Sequence, residues 1–256
     1  MSGRLEGGVV IVTGATKGIG AETARALARE GAAVLATGRD EVGGEAVVAE
    51  ITKDGGRGAF VRHDVGREED WARAVETAER ALGPVTGVVN NAGGFMVKPL
   101  AETTEEDFDG LYAVNVRGTF LGVQHGFRAI ARSGRPGGAI VNVSSLMGQV
   151  GYPGASAYCA TKGAVTGFTK TAALEGARFA PPIRVNSLHP GVIWTPMITS
   201  QFGEDQALSD AFAADTPLRM IGLPAYMADA ILFLLSDESS YVTGAELTVD
   251  GGRGAD

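Results

Sequence analysis

The chain has 256 residues, of which 45% are hydrophobic and 20% charged, enough apolar material to fill a core and too much for a disordered segment. Acids outnumber bases by 30 to 22, and the net charge of −8 argues against a nucleic-acid or anionic-membrane surface. Cys159 is the only cysteine, which excludes an internal disulfide and a zinc site built from several thiolates.

The N-terminal stretch MSGRLEGGVVIVTG shows no cleavable signal pattern. It contains the first predicted element, the apolar run VVIVT at 9–13, which reads as a strand buried on both faces. A helical pattern follows over 18–30, with Ile19, Ala24, Leu27 and Ala28 on one side and Arg and Glu on the other. Next come a strand at 32–37, a polar helix at about 41–54, a strand at 58–64, a helix at 67–82 stopped by Gly83-Pro84, and a strand at 85–91. One long helix is expected to begin near Thr103–Thr104, because hydroxyls and the following acids suit an N-terminus. Runs at 138–145, 183–189 and 245–251 complete seven strands, with helices near 156–178 and 224–235 between the last three. The apolar run AYMADAILFLL is broken by Asp229 and too short to span a bilayer; a soluble cytoplasmic chain is expected.

Strand–helix alternation with short connections implies βαβ units, hence an α/β fold with a parallel sheet covered on both faces, in a single domain. The stretch 190–222, rich in Pro, Gly and scattered apolar residues, breaks this rhythm. It reads as a long functional loop, a substrate lid.

The first turn, TGATKGIG from Thr13 to Gly20, places Gly14, Gly18 and Gly20 between an apolar strand and an amphipathic helix. Glycines there permit a tight turn and the close approach of a pyrophosphate to a helix N-terminus. Tyr158 and Lys162 stand four positions apart on one helix face. A phenol with its ordinary pKa of about 10 is a poor base near neutrality, and a neighbouring ammonium is expected to lower it into a useful range. Ser145, at a strand C-terminus, can hydrogen-bond a substrate oxygen.

The TGxxxGIG spacing, followed in order by Asn90–Gly93 (NNAG), Asn115, Ser145, Tyr158 to Lys162 (YCATK) and HPG with Thr195, resembles the short-chain dehydrogenase/reductase family. The resemblance runs from Arg4 to Gly252 and implies a doubly wound Rossmann-type domain acting on a ketone or secondary alcohol by hydride transfer. It implies that Tyr158 exchanges the proton, Lys162 also holds the nicotinamide ribose, Ser145 orients the carbonyl, and Asn115 holds a water linking Lys162 to solvent. Ser145 rather than the adjacent Ser144 lies thirteen positions before Tyr158, as the family pattern requires. The cofactor would meet Gly14, Thr16, Lys17, Gly18, Ile19 and Gly20 in the first turn. Asp64, Val65, Asn91, Ala92 and Gly93 would lie on its adenosine side, and Pro190, Gly191, Ile193 and Thr195 at the other end.

In the family pattern an acid at the end of the second strand selects NAD. Here Gly38 stands there, followed by Arg39, and a guanidinium can grip a 2′-phosphate that a carboxylate would repel. NADP(H) is therefore expected in preference to NAD(H), although Asp40 adjoins. His63, His125 and His189 show no ligand spacing and read as two loop-edge residues and one on a helix, so no metal is expected. The pocket is expected to be ringed by Gly94–Met96, Met147–Tyr152, Trp194, Met197, Phe202 and Phe212, apolar and without a cation to grip an anionic substrate. This suits a neutral, fairly bulky ketone or alcohol. Stretches such as TGRDEVGGEA, IRVNSLHPG and YVTGAELTVDGG look similar to bacterial secondary-alcohol and hydroxysteroid dehydrogenases of the family. A 3-oxoacyl carrier-protein reductase is an alternative, needing a basic docking patch beside the cleft, for which Arg128, Arg132 and Arg135 are candidates. A non-catalytic dinucleotide-binding sensor is another, but it should lack one of Ser145, Tyr158 and Lys162. The family implies a homotetramer with interfaces on helices near 104–130 and 156–178 and the C-terminal segment.

Overall fold

The computed structural model describes residues 3–255. Seven parallel strands form one sheet in the order β3-β2-β1-β4-β5-β6-β7: β1 Val9–Thr13, β2 Ala33–Gly38, β3 Arg57–Arg62, β4 Gly87–Asn90, β5 Ala139–Val143, β6 Arg184–Pro190 and β7 Glu246–Val249. Every residue of β1, β2, β4, β5 and β6 is buried, which is why β1 and β2 are almost continuously apolar rather than alternating, while the polar residues of β4, β5 and β6, Asn90, Asn142, Asn186 and Ser187 among them, are met by hydrogen bonds. Helices cover both faces. On one lie α1 (Gly18–Arg29), α2 (Glu41–Lys53) and α9 (Pro224–Leu235), packed through Leu27, Ile51 and Ile231. On the other lie α3 (Glu68–Ala81), α5 (Gly118–Ser133) and α6 (Ser156–Gly176), packed through Trp71, Ile130 and Ala172. The chain moves outward from β1 to β3, returns, and continues outward from β4 to β7. The carboxyl ends of β1 and β4 therefore diverge, opening a crevice at the reversal of strand order.

Two expectations need correction. The long helix after Thr104 is not continuous: α4 (Glu105–Tyr112) gives way to a π-helical turn, Ala113–Arg117, before α5 begins. The start is as the sequence suggests, since Thr104 and Asp107 form a reciprocal capping box. The π-turn inserts one extra residue into the helix and turns Asn115 inward, a use that such bulges often have near functional sites. Nor is 190–222 an irregular loop: it contains α7 (Pro196–Phe202) and α8 (Gln206–Ala214). Their scattered apolar residues include Phe202, which packs on Phe95 and Phe212, so these short helices are held by tertiary contact rather than by a periodic stripe.

A buried polar chain crosses one face of the sheet. Asn90 of β4 donates to Asn142 of β5 at 2.8 Å, and Asn142 donates to Thr169 of α6 at 2.9 Å. Gly122 of α5 lies over this chain, where a Cβ would stand 2.0 Å from Asn90 Oδ1 and 2.8 Å from the Trp71 ring. Alanine is ordinarily the better helix former by about 1 kcal/mol. Gly122→Ala is nevertheless expected to destabilise by about 2–3 kcal/mol through overpacking, lowering Tm by roughly 5–10 °C in a thermal melt.

Candidate active site

The turn between β1 and α1 is built to receive an anion. Gly14 and Gly18 adopt φ of +63° and +58°. A Cβ on Gly14 would meet Ala92 Cα at 2.9 Å, and one on Gly20 would meet the Gly14 carbonyl oxygen at 2.3 Å, so both positions need glycine. Lys17 precedes α1 with no side-chain cap, and no acid occupies the first turn. The leading amides therefore face the cleft without a side-chain partner, in the field of the helix dipole. Thr13 locks this turn to β4: its hydroxyl accepts from the Asn91 and Ala92 amides, each at 3.0 Å, and donates to Val89. Asn91 adds a second tie, its Nδ2 donating to Thr13 O at 2.8 Å and Gly14 O at 3.2 Å. Asn91 thus shapes the turn as well as lining the cleft. Thr13 went unnoticed in the sequence because a threonine at a strand end is unremarkable there.

The cleft of about 290 Å³ above this turn is walled by Thr16, Lys17, Gly18, Arg39, Asp64 and Val65, among others. Asp40 is committed elsewhere: its carboxylate accepts from the Gly43 amide at 3.1 Å as the N-cap of α2. Arg39 lies exposed at the rim. A Cβ at Gly38 would come within 2.5 Å of Thr16 Cγ2, so a larger residue there would have to displace the Thr16 methyl. A glycine cradle closed to any Cβ, open helix amides and a long trough fit a dinucleotide diphosphate.

The cleft shares Ile19, Asn91, Gly93, Thr195 and Met197 with a second cavity of about 230 Å³. Ser145, Tyr158, Lys162, Pro190, Gly191 and Ile193 lie on the wall of this cavity. Helix α6 brings two of them there. Its buried residues, including Tyr158, Thr161, Lys162, Val165, Thr169 and Ala172, recur at helical period. Several are polar, so the stripe is weak in hydropathy, and each is satisfied locally. Thr161 donates to Tyr158 O at 2.8 Å, and Thr166 to Lys162 O at 2.9 Å. Ser144 spends its hydroxyl on this helix, donating to Lys162 O at 2.9 Å. Ser145 instead accepts from Met147 N at 3.1 Å and stands close enough to the Tyr158 phenol to pull its pKa down. Asn115 bridges three elements: it accepts from Gly94 N at 2.7 Å and donates to Gly94 O at 3.1 Å and Thr161 Oγ1 at 3.0 Å.

The electrostatics differ from the sequence expectation. Burial pushes the Tyr158 phenol up to about 12, with the neighbouring Ser145 hydroxyl pulling only partly against it. Burial also pulls the Lys162 ammonium down to about 8. Lys162 Nζ donates to Val143 O at 2.9 Å and lies 5.7 Å from the centroid of the Tyr158 ring. The ammonium is thus aimed at the strand end, and desolvation outweighs its effect on the phenol.

One histidine is also placed differently. His63 stands at a loop edge just past β3, and His189 lies within β6; both are buried. His63 packs edge-on against Trp71 at 4.6 Å. His189, in β6, contacts Ser145 O at 3.0 Å and Ser187 Oγ at 2.8 Å. A carbonyl only accepts, so Nδ1 carries the proton and Nε2 accepts from Ser187, and burial, which lowers the His189 pKa, keeps the ring neutral. His189 thereby fixes the backbone of Ser145, a role its spacing could not reveal. Two of the three arginines offered as a docking patch are engaged away from the cleft: Arg132 pairs with Glu79 of α3, and Arg135 donates to Gly7 O ahead of β1, at the opposite end of the sheet. Among the expected pocket residues, Gly94, Phe95, Met147, Tyr152 and Met197 line the cavity, whereas Met96, Trp194, Phe202 and Phe212 do not. The cavity does contain a cation that the sequence reading did not foresee, Arg253 from the C-terminal segment. Among the described residues, no three His, Cys, Asp or Glu side chains gather as a metal site, and no helix is long and apolar enough to cross a membrane.

The model of a family described as enoyl-(acyl carrier protein) reductase matches residues 14–253. The chain is similar to the cyclopentanol dehydrogenase of Comamonas testosteroni, 44% identical over 250 residues, with 98% of each chain covered. It is 42% identical over 254 residues to the NADP-dependent (R)-specific alcohol dehydrogenase of Lentilactobacillus kefiri, again over 98% of each. The 3-beta-hydroxysteroid dehydrogenase of Comamonas testosteroni is 36% identical over 253 residues, covering 98% of this chain and 97% of that one. A solved structure titled short chain dehydrogenase/reductase family protein matches with a TM-score of 0.87 at 39% identity, over 99% of this chain and 100% of the other. Likeness at this level extends from end to end, through the segment 190–222 and the tail as well as the glycine turn, and the chain belongs to the short-chain dehydrogenase/reductase family of oxidoreductases.

Proposed function

We propose that the protein interconverts a ketone and a secondary alcohol with NADP(H), on a neutral and fairly bulky substrate. The observation that carries this reading is the Ser145–Tyr158 hydroxyl pair on the wall of a mostly apolar cavity that runs into the glycine-turn cleft. The names of the secondary-alcohol and hydroxysteroid dehydrogenases among its relatives agree with it. When bound, the nicotinamide supplies or takes up the hydride. The chain's own residues handle the oxygen and its proton. Ser145 donates a hydrogen bond to the carbonyl oxygen, and Tyr158 delivers a proton to it as charge develops. In the reverse direction Tyr158 takes the proton back. Lys162 stands one turn away to hold the cofactor ribose, and Asn115, at the π-turn, fixes the Gly94 loop and serves the proton path. A protonated phenol is the resting form that reduction needs, and burial secures it. With this set complete, a purely binding role has no feature in its favour.

The preference for NADP(H) rests on Arg39, at the rim of the cleft with Asp40 engaged in capping. The segment 190–222 acts as the lid, with α7 contributing Met197 and Ile198 to the cavity. A homotetramer is supported by exposed apolar side chains on the helices expected at its interfaces, Phe108, Tyr112, Phe120 and Leu174. The reading carries a cytoplasmic location with it.

A screen of ketones and alcohols against both cofactors, followed by nicotinamide absorbance, tests the reading directly; absence of turnover on every ketone would remove it. Tyr158→Phe is expected to lower kcat by about 10²–10⁴-fold while cofactor affinity, measured by fluorescence titration, stays within a few-fold. Arg39→Asp should shift the NADPH:NADH ratio of kcat/KM toward NADH by about 10–100-fold, the value of a lost charge-assisted contact. Reduction needs the proton on Tyr158 and the charge on Lys162, so its kcat/KM should stay level at neutral pH and fall above about pH 8, where Lys162 titrates. Oxidation needs the phenolate and should rise with pH over the same range; parallel profiles in the two directions would contradict the assignment of Tyr158.

A further inference from the structure

Arg253 is a charge in the substrate cavity that the ketone-reductase reading does not use. Among the described residues the cavity wall holds no carboxylate and two cations, Lys162 and Arg253. Lys162 is engaged with Val143 O behind the catalytic tyrosine. Arg253 comes from the segment after β7, and its side chain is 21% exposed. Among the described residues its ion-pair partner is Asp215, at the end of α8, which is 61% exposed.

The tail is folded to present this side chain. Asp250 accepts from Gly252 N at 2.9 Å and from Gly254 N at 2.6 Å, clasping the amides on either side of Arg253. Gly251 and Gly252 take φ of +70° and +89° to make the turn, and Leu218 N donates to Gly251 O at 3.1 Å. Gly191, on the cavity wall, packs so closely on Asp250 that a Cβ there would lie 2.7 Å from its Cα. The tail therefore rests against the carboxyl end of β6, next to the reacting groups. A guanidinium has five N–H donors in a fixed fork, and one carboxylate contact through a single nitrogen leaves donors for another acceptor. The Arg253–Asp215 pair is also neutral as a unit, so a second carboxylate would compete with Asp215, whereas a neutral carbonyl oxygen would not.

We propose that Arg253 is a specificity-determining residue that binds a second, uncharged carbonyl oxygen on the substrate, remote from the one reduced. The preferred substrate class is then a ketone bearing an ester or a second ketone. This rests on the ketone-reductase reading and refines it.

The test compares cyclohexanone, ethyl 4-oxocyclohexanecarboxylate and the free 4-oxocyclohexanecarboxylate with the full-length enzyme and NADPH. The wild type is expected to favour the ester over cyclohexanone by about tenfold or more in kcat/KM, one good hydrogen bond to a charged donor. Arg253→Met should lose that preference, falling about tenfold further on the ester than on cyclohexanone. Asp215→Asn removes the lid contact but keeps the cation, and should keep the ester preference while improving the free acid. Equal losses on all three ketones in both variants would make Arg253 only a latch to the lid and overturn the proposal. So would a wild-type enzyme that prefers the free acid or shows no preference. Turnover of cyclohexanone without an ester preference would sink the Arg253 assignment alone; no turnover of any of the three would remove the reductase reading with it.

Discussion

A polar seam between β5 and α6 decides where the chemistry can happen. Four contacts make it: Asn142 to Thr169, Ser144 to the carbonyl of Lys162 and to Thr166, and Lys162 Nζ to the carbonyl of Val143. Each group is buried, so each would be costly to leave unpaired. Together they set the rotation and the height of α6 on the sheet. That setting brings Tyr158 to Ser145, which itself is held from the other side by His189. The Ser145 and Tyr158 hydroxyls are thus positioned by strand ends and a buried helix, elements that hold geometry better than loops do.

Burial also sets the electrostatic character of the site. Loss of solvent keeps the phenol protonated and brings the pKa of the ammonium down to about 8. Neither shift comes from their mutual attraction. An enzyme that reduces a ketone benefits from the first, because the proton donor is loaded at neutral pH. The second leaves Lys162 sensitive to whatever charge or hydrogen-bonding group occupies the neighbouring cleft, which couples cofactor binding to the proton inventory.

The two cavities divide their labour by chemistry. The cleft over the glycine turn is a trough of backbone and polar groups lined by both cations and acids, Lys17, Arg39, Asp40 and Asp64, and the second cavity is largely apolar with hydroxyls and Arg253 on its wall. Phe95 links them to α7, packing edge-on against Tyr158 at 4.9 Å and tilted against Phe202 at 6.2 Å. Residues 95, 158 and 202 come from three separate parts of the chain and meet only in the fold.

The sequence alone determined the architecture and the chemical inventory. Strands buried on both faces are continuous apolar runs, amphipathic helices betray themselves by period, and a glycine turn between them has one natural use; these are local signals. The order Ser145, Tyr158, Lys162 is local too, fixed by helix and strand spacing. Tertiary structure alone decided what depends on distant segments meeting. The π-turn at 113–117 answers to contacts of Asn115 with Gly94 and Thr161, and α7 and α8 to the packing of Phe202 on Phe95 and Phe212. The direction of the Tyr158 shift follows from how completely the fold excludes water, which no spacing encodes. His189 and Arg253 reach the site from a strand interior and from the C-terminal tail, and a pattern read along the chain has no measure of either distance.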